Sequence, residues 1–474
     1  MTETERFDVI VIGGGSAGEN AADYAGRDGL SVALIETNLV GGECSYWACM
    51  PSKGLLRPGE ALNEVGRVPG ARGAVTGQLD VAEALDRRDA LASNWDDSGQ
   101  VEWLEENDIE LIRGRGVLAG DKLVEVHRPG MPVLTLEANK AVVIATGSSA
   151  AMPPINGLED VPVWDNRDVT TADDVPRRLV VLGGGAVGVE MAQAWKLLGA
   201  EEVTIVELDD RLLPHEEPFV GEELVDSFDR FGIVVHTGAE TQRVTAASDE
   251  IRLMVTLGDG QDIELEADHL LVATGRSPNT KEIGLEAVGL AGGDVIEVDE
   301  HLVVKGVEGG WLYAVGDVNG RSLLTHSGKY QARIAGAHIR GIETHAWGDD
   351  VAVPRVVFTT PEIAAVGLTE KHAREHFDDV RTVRYDIGDT AAAGIVGKGY
   401  GGTCQLIIDG VRGVIVGATF VGPRTSEILH SATIAVSAQV PIGKLWHAIP
   451  SFPTLSEVWL RLLERYVSEF GHPS

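Results

Sequence analysis

Apolar residues in this chain come in short unbroken runs, separated by glycine-rich loops and alanine-rich stretches. Phe7-Asp8-Val9-Ile10-Val11-Ile12 reads as a short buried parallel strand, because a strand covered on both faces loses its polar alternation. The loop Gly13-Gly14-Gly15-Ser16-Ala17-Gly18 follows, and helical sequence then runs to about residue 28. A second apolar run, Ser31 to Ile35, ends on Glu36. The same order recurs later in the chain. Arg178 to Leu182 is a strand, Gly183-Gly184-Gly185-Ala186-Val187-Gly188 a loop, a helix reaches about Leu198, and the strand Val203 to Val206 ends on Glu207. Two further apolar strands close on Ala145-Thr146-Gly147-Ser148 and on Ala273-Thr274-Gly275-Arg276. From about residue 346 strands and helices continue without such a loop, Cys404 to Ile408 among the strands. The pattern predicts an α/β fold. No run is long enough to span a bilayer, so a soluble protein is expected.

Each repeat is a complete dinucleotide-binding frame: strand, G-x-G-x-x-G, helix, strand and an acidic residue about 20 positions on. Gly13, Gly15 and Gly18 in the first, and Gly183, Gly185 and Gly188 in the second, permit a tight turn and the approach of a pyrophosphate to a helix N-terminus. Glu36 and Glu207 stand where a ribose hydroxyl pair is held. Two frames predict two dinucleotides. Glu207, followed by Asp209 and Asp210, repels a 2′-phosphate, which favours NAD over NADP; Arg211 is the nearby cation.

Length and charge narrow the class. The 474 residues are enough for several domains with buried cores. A formal net charge of −34 argues against nucleic-acid and anionic-membrane partners, and anionic ligands must be held by local features such as helix N-termini. A solvated acidic surface and a salt-adapted host both fit that charge. Met1 to Phe7 carries no basic or apolar leader pattern, and 3 cysteines make no disulfide framework, so a reducing cytoplasm is expected.

Cys44 and Cys49 lie in Gly41-Gly42-Glu43-Cys44-Ser45-Tyr46-Trp47-Ala48-Cys49-Met50-Pro51-Ser52-Lys53. On a straight helix five residues rise about 7.5 Å, whereas a disulfide wants Cα atoms about 5.5–6 Å apart. The pair can join only if the helix start is bent. A bent, helix-initial dithiol gains from the positive end of the helix dipole. On spacing alone, two buried inert thiols fit as well as a redox pair.

The flanking residues decide between them. Gly-Gly-x-Cys-x4-Cys-x-Pro-Ser-Lys resembles the active-site signature of the pyridine nucleotide–disulfide oxidoreductases, the family of dihydrolipoamide dehydrogenase, glutathione reductase and mercuric reductase. The resemblance implies two Rossmann-like dinucleotide-binding domains plus a C-terminal α+β dimerisation domain, in a homodimer. It places an FAD domain at 1–150 and 278–345, an NAD domain at 151–277 and the dimerisation domain at 346–474, with Pro153-Pro154 and Ser277-Pro278-Asn279 as linkers. The FAD site it implies takes Gly13, Gly15, Ser16, Ala17, Gly18, Glu36, Gly42, Gly116, Thr146, Gly147 and Ser148. Asp317, in Tyr313-Ala314-Val315-Gly316-Asp317, resembles the residue that contacts the ribityl chain, and Thr325 and His326 open a helix near the flavin ring. Gly183, Gly185, Gly188, Glu207 and Gly275 belong to the nicotinamide nucleotide. By the same resemblance Cys49 is the charge-transfer thiolate and Cys44 the outward thiol that exchanges with substrate. Lys53 pairs with Glu190 beside the reactive end of the flavin. Phe358-Thr359-Thr360-Pro361-Glu362 and Gly417 to Gly422 resemble parts of the dimerisation domain.

The chain departs from the family at its far end. Where the disulfide reductases carry His-Pro-Thr-x-x-Glu, this sequence reads Phe452-Pro453-Thr454-Leu455-Ser456-Glu457. Glu457 remains, but Phe452 cannot move a proton, a service typically worth 10²–10⁴-fold. His447, in a Trp446-His447-Ala448 helical run, is the nearby candidate to replace it. The ending Phe470-Gly471-His472-Pro473-Ser474 lacks the C-terminal cysteine pair of mercuric reductase and of large thioredoxin reductases, and no N-terminal metal-binding domain is expected. Tyr46 and Trp47 between the cysteines fit core packing, shielding of the dithiol or a stacking face for a planar acceptor. Cys404 reads as structural. The expected activity is an FAD-dependent NAD(P)H oxidoreductase with a redox-active Cys44–Cys49 disulfide, its acceptor open among a small disulfide, a quinone, a metal ion and a dye. The alternatives are a transhydrogenase-like flavoprotein and, in another class, a redox sensor that binds nucleotide without turnover.

Overall fold

A computed structural model describes residues 4–247 and 250–472. Met1, Thr2 and Glu3, and Pro473 and Ser474, on which the readings of leader and C-terminal thiols partly rested, lie outside the described residues. Contacts divide the chain into two compact units. The first comprises Met1–Pro51, Arg88–Ala151 and Arg276–Asp350, the second Ser52–Arg87, Met152–Gly275 and Val351–Ser474.

The first unit is built on a mixed sheet. Strands Ile109–Arg113, Val32–Glu36, Thr4–Ile12 and Leu134–Ile144 lie side by side and parallel, and Leu312–Ala314 adds to the far end of the last. Val9 to Ile12 are buried on both faces, as an uninterrupted apolar run requires. Helix Ser16–Gly26 lays Ala21, Ala22 and Ala25 on this sheet, and it packs on helix Thr325–Ile339. That approach depends on Gly336, where a Cβ would stand 2.6 Å from the Cβ of Tyr24. The first helix stops at Gly26, earlier than expected, because Arg27–Gly29 forms a tighter turn with Asp28 at φ 66°.

The second unit contains a parallel sheet in the order Ile233–His236, Glu202–Val206, Arg178–Leu182, His269–Val272. Helix Ala186–Leu198 follows its glycine loop, and a three-stranded antiparallel sheet, Glu240–Ala247, Glu250–Thr256 and Asp262–Ala267, is appended. The unit also holds an antiparallel five-stranded sheet in the order Pro354–Val357, Glu362–Gly367, Val414–Gly422, Thr403–Asp409, Val380–Asp386. Helix Glu457–Phe470 covers it with Val458, Leu462, Leu463 and Tyr466, the 3.6-residue stripe of an amphipathic helix. Among the described residues no helix is long and apolar enough to cross a membrane.

Candidate functional site

In the first unit the loop after strand Thr4–Ile12 is shaped by glycines that nothing else could replace. Gly13 has φ 104°, and a Cβ on it would stand 2.4 Å from the Ala145 carbonyl oxygen. A Cβ on Gly18 would fall onto the Gly13 carbonyl. Gly15 caps helix Ser16–Gly26 without any side-chain cap, so N–H groups of the first turn point outward at the positive helix end. Gly41 donates its N–H to Gly14 O at 2.8 Å, and a Cβ on Gly42 would meet Gly15 Cα at 2.7 Å. The glycine pair before the cysteines therefore locks that segment against the nucleotide loop. Glu36 ends its strand buried, accepting from Gly14 N at 2.6 Å and from Asn38 N at 2.6 Å. Among the described residues, chain neighbours aside, nothing lies within 4 Å of the Cβ position of Gly147, which has φ 70°. Thr146 Oγ1 donates to Asn279 O at 2.7 Å. Ser148 Oγ donates to Asp317 Oδ2 at 2.5 Å and accepts from Arg276 Nε at 2.6 Å. Gly116 is buried in its strand with Ile12 and Ile35 against it.

The cysteines sit on two successive helical pieces, Gly42–Tyr46 and Cys49–Arg67, interrupted at Trp47 (φ −136°, ψ 4°). This is the bend that the spacing demands. The two are neighbours: Cys44 is hydrogen-bonded to Cys49, and Ser16 and Thr325 also bond to Cys44. That bond to Cys49, followed by burial, pushes the Cys44 thiol well above the ordinary range. Thr325 Oγ1 also lies 3.4 Å from Cys49 Sγ, at the start of helix Thr325–Ile339; His326 follows, exposed. Tyr46 is 1% exposed, its hydroxyl donating to Val40 O and Gln100 Oε1, which makes it a core residue. Glu19, on the helix that follows the glycine loop, is pushed up to about 7 by burial, against the opposing charge of Lys329.

The second unit repeats the cradle. Gly183 has φ 104° and a Cβ on it would stand 2.4 Å from Ala273 O, while a Cβ on Gly188 would fall onto Gly183 O. Gly185 caps helix Ala186–Leu198 with open space around it, and Gly275 is equally open. Glu207 accepts from Gly184 N at 2.5 Å and Asp209 N at 2.7 Å, matching Glu36 bond for bond. On the helix of this repeat stands Glu190, its side chain 7% exposed. Lys53 Nζ donates to its Oε2 at 2.8 Å and the Phe358 N–H to its Oε1 at 2.9 Å. Lys53 also lies over the Phe358 ring, 4.7 Å from its centroid. The two helices meet because Gly59 has no side chain: a Cβ there would stand 2.5 Å from Leu197 Cβ.

Near the C-terminus, Phe452 is 73% exposed. Glu457 is buried, accepting from Arg461 Nη2 at 2.7 Å and Ala391 N at 3.1 Å. His447 is exposed and lies beyond helix Ile442–Leu445 rather than in a helical run. The short helix ends at Leu445, and Trp446 and His447 form the turn that leaves it. Cys404 is fully buried, and burial raises its thiol well above the ordinary range.

The model of the family described as pyridine nucleotide-disulphide oxidoreductase matches residues 7–337, and the dimerisation domain of the same family matches 353–462. The chain belongs to this family. It is an oxidoreductase of the flavoprotein disulfide reductase group, of mixed α/β fold. It is 31% identical to mercuric reductase from Staphylococcus aureus over 95% of its own length and 81% of that protein's. To dihydrolipoyl dehydrogenase from Halobacterium salinarum it is 32% identical over 98% and 97%. Among solved structures it resembles the Cu(II) complex of the HOCl-induced flavoprotein disulfide reductase RclA from Escherichia coli, with TM-score 0.84 and 26% identity over 97% of this chain and 99% of that one. LpdA from Mycobacterium tuberculosis gives 0.84 and 26% over 98% and 99%.

Sequence reasoning missed the partners that hold these residues in place. Phe358 acts on Glu190 through its backbone N–H, which no side-chain pattern reveals. Ser16 against Cys44, and Gln331 behind the Asp317 turn, are likewise tertiary contacts; a glutamine on the alanine-rich face of helix Thr325–Ile339 was the available signal for the second.

Proposed function

We propose that this chain is an NADH-dependent flavoenzyme whose Cys44–Cys49 pair accepts electrons and passes them to a small acceptor. The observation that carries the reading is the interrupted helix, which sets the two sulfurs together with Thr325 and Ser16 against them, in the same unit as the first glycine cradle. The residues present fit FAD: the space at Gly147, the uncapped helix at Ser16 and the buried Glu36 suit a pyrophosphate and a ribose. Gly13, Ala17, Gly18, Gly42, Thr146, Ser148, Asp317 and His326 complete that site in this reading, with Gly116 packing beneath it. The domains follow as 1–150 and 278–345 for FAD, 151–277 for the nicotinamide nucleotide and 346–474 for a homodimer interface. FAD bound there supplies two-electron exchange between a nicotinamide and the dithiol.

The chain's own residues do the rest. Cys44 keeps its proton and Cys49 carries the negative charge, in keeping with the hydrogen bond between them. Lys53, fixed by Glu190, is the cation that this reading assigns to the reaction. Glu207, Asp209 and Asp210 disfavour a 2′-phosphate, so NADH is preferred over NADPH; steady-state rates with both nucleotides test this. Phe452 leaves the outer thiol without the family's acid–base, so lipoamide and glutathione are poor acceptors, and neither His447 nor Glu457 replaces it. Glu457 is committed to Arg461 and Ala391. A metal ion or a quinone is the second class of acceptor, the former supported by likeness to a flavoprotein solved as a Cu(II) complex.

The test is an anaerobic NADH titration of the flavin-loaded protein followed by its visible spectrum. A long-wavelength thiolate-to-flavin band before bleaching is the expected result. Direct bleaching without that band would mean an idle dithiol and a transhydrogenase-like enzyme, and no reduction at all would point to a sensor.

A further inference from the structure

The turn that presents Asp317 is held from behind by a buried amide. Gly316, just before it, has φ 79° and ψ −158°, a region open in practice to glycine alone, so the turn needs fixing from outside. Gln331, 0% exposed on helix Thr325–Ile339, does this with one oxygen: Oε1 accepts from Gly316 N at 2.8 Å and from Asn319 Nδ2 at 2.8 Å. A backbone N–H can only donate, so the amide orientation is settled and Nε2 must face the other way. There it donates to Asp349 Oδ2 at 2.9 Å. The Asp349 side chain is 1% exposed, Arg321 Nη1 lies 3.7 Å from it, and its Oδ1 has no hydrogen-bond partner among the described residues. Asn319 is fully committed as well, donating to Ala314 O at 3.1 Å and accepting from Arg321 N at 3.1 Å.

We infer that Gln331, oriented by Asp349, is the positioning residue that sets the Gly316–Gly320 turn, and with it Asp317, for the ribityl chain of FAD. The inference rests on the FAD reading above. On the opposite side Ser148 and Arg276 hold the Asp317 carboxylate itself. The turn is thus fixed through its backbone by one network and through its side chain by another, and only the first depends on Gln331.

The experiment measures FAD affinity of the full chain by flavin fluorescence, together with the visible circular dichroism of the bound flavin. Gln331→Glu keeps an acceptor for Gly316 and Asn319 but sets a carboxylate against Asp349. It should weaken FAD by on the order of tenfold or more and change the dichroism. Adding Asp349→Asn supplies a donor to that carboxylate and should recover most of the loss, whereas Asp349→Asn added to Gln331→Leu should recover none. Equal affinity and dichroism for the wild type and Gln331→Glu, or no recovery in the Gln331→Glu/Asp349→Asn pair, would overturn the positioning role. Absence of FAD binding by the wild-type chain would instead overturn the FAD reading. A fold lost in Gln331→Leu leaves the decision with the charge-paired variants.

Discussion

Glu190 spends one carboxylate oxygen on Lys53 at 2.8 Å and the other on the Phe358 backbone N–H at 2.9 Å. Its side chain is 7% exposed, whereas that of Lys53 is 35% exposed. The two ends of the pair therefore differ in what they lose when it is broken. Lys53→Met strands a buried carboxylate and should cost about 3 kcal/mol. Glu190→Gln keeps an acceptor for Phe358 and leaves a lysine that water and the Phe358 ring still accommodate, at about 1 kcal/mol. Urea unfolding of both variants gives the order, and a larger loss for Glu190→Gln would contradict it. Under the function proposed above, in which Lys53 supplies a cation to the reaction, both should lower NADH-dependent dye reduction by tenfold or more.

Cys44 offers a test through its reactivity. Its thiol is raised by the hydrogen bond with Cys49 and by burial, so little thiolate is present at neutral pH, and Phe452 supplies no base to change that. Alkylation of the reduced protein at Cys44 should be slow at pH 7.5 and rise steadily with pH. Cys49→Ala removes the main cause of the shift and should speed Cys44 alkylation at the same pH, read by mass spectrometry of the labelled peptide. An unchanged rate would mean that burial, not the neighbouring sulfur, governs the thiol.

The parts of this site legible in the sequence are those fixed by local geometry. Gly13 and Gly18 must be glycine because the chain passes within van der Waals contact of its own carbonyls, and that need recurs at Gly183 and Gly188. The bend between Cys44 and Cys49 followed from helix rise alone. Lys53 and Glu190, by contrast, are 137 residues apart and meet through the close approach of their helices at Gly59, which no periodicity announces. They were placed by resemblance. Gln331 escaped notice because its partners are a backbone N–H and an asparagine whose orientation exists only once the turn is folded. His447 falls in a turn just past helix Ile442–Leu445, an end that the run Trp446-His447-Ala448 does not announce.

Glu19 gives the fold a pH dependence of definite sign. Burial raises it from 4.5 to about 7, so the folded chain holds its proton where the unfolded chain has released it. The stabilisation is complete below about pH 4.5 and is lost as pH rises through about 7. Glu19→Gln removes the titration. Its melting temperature should match the wild type near pH 4.5 and exceed it at pH 8, by an amount equivalent to about 2 kcal/mol. Equal melting temperatures at both pH values would place Glu19 in water.

Phe452 stands where the resemblance puts an acid–base, and it is 73% exposed, so replacing it costs the fold little. Phe452→His should leave NADH-dependent dye reduction near the wild-type rate, because that reaction needs no proton at the outer thiol. Lipoamide reduction should rise by tenfold or more, toward the range of general acid–base catalysis. The gain should follow the titration of an imidazole with pKa about 6.5, which separates it from an effect of shape. Phe452→Asn, close in size to histidine but without a titrating group, should give neither the gain nor the pH profile. If lipoamide reduction stays flat in Phe452→His, the missing base is not what limits disulfide reduction, and the acceptor is to be sought among quinones and metal ions that take electrons without a proton at sulfur.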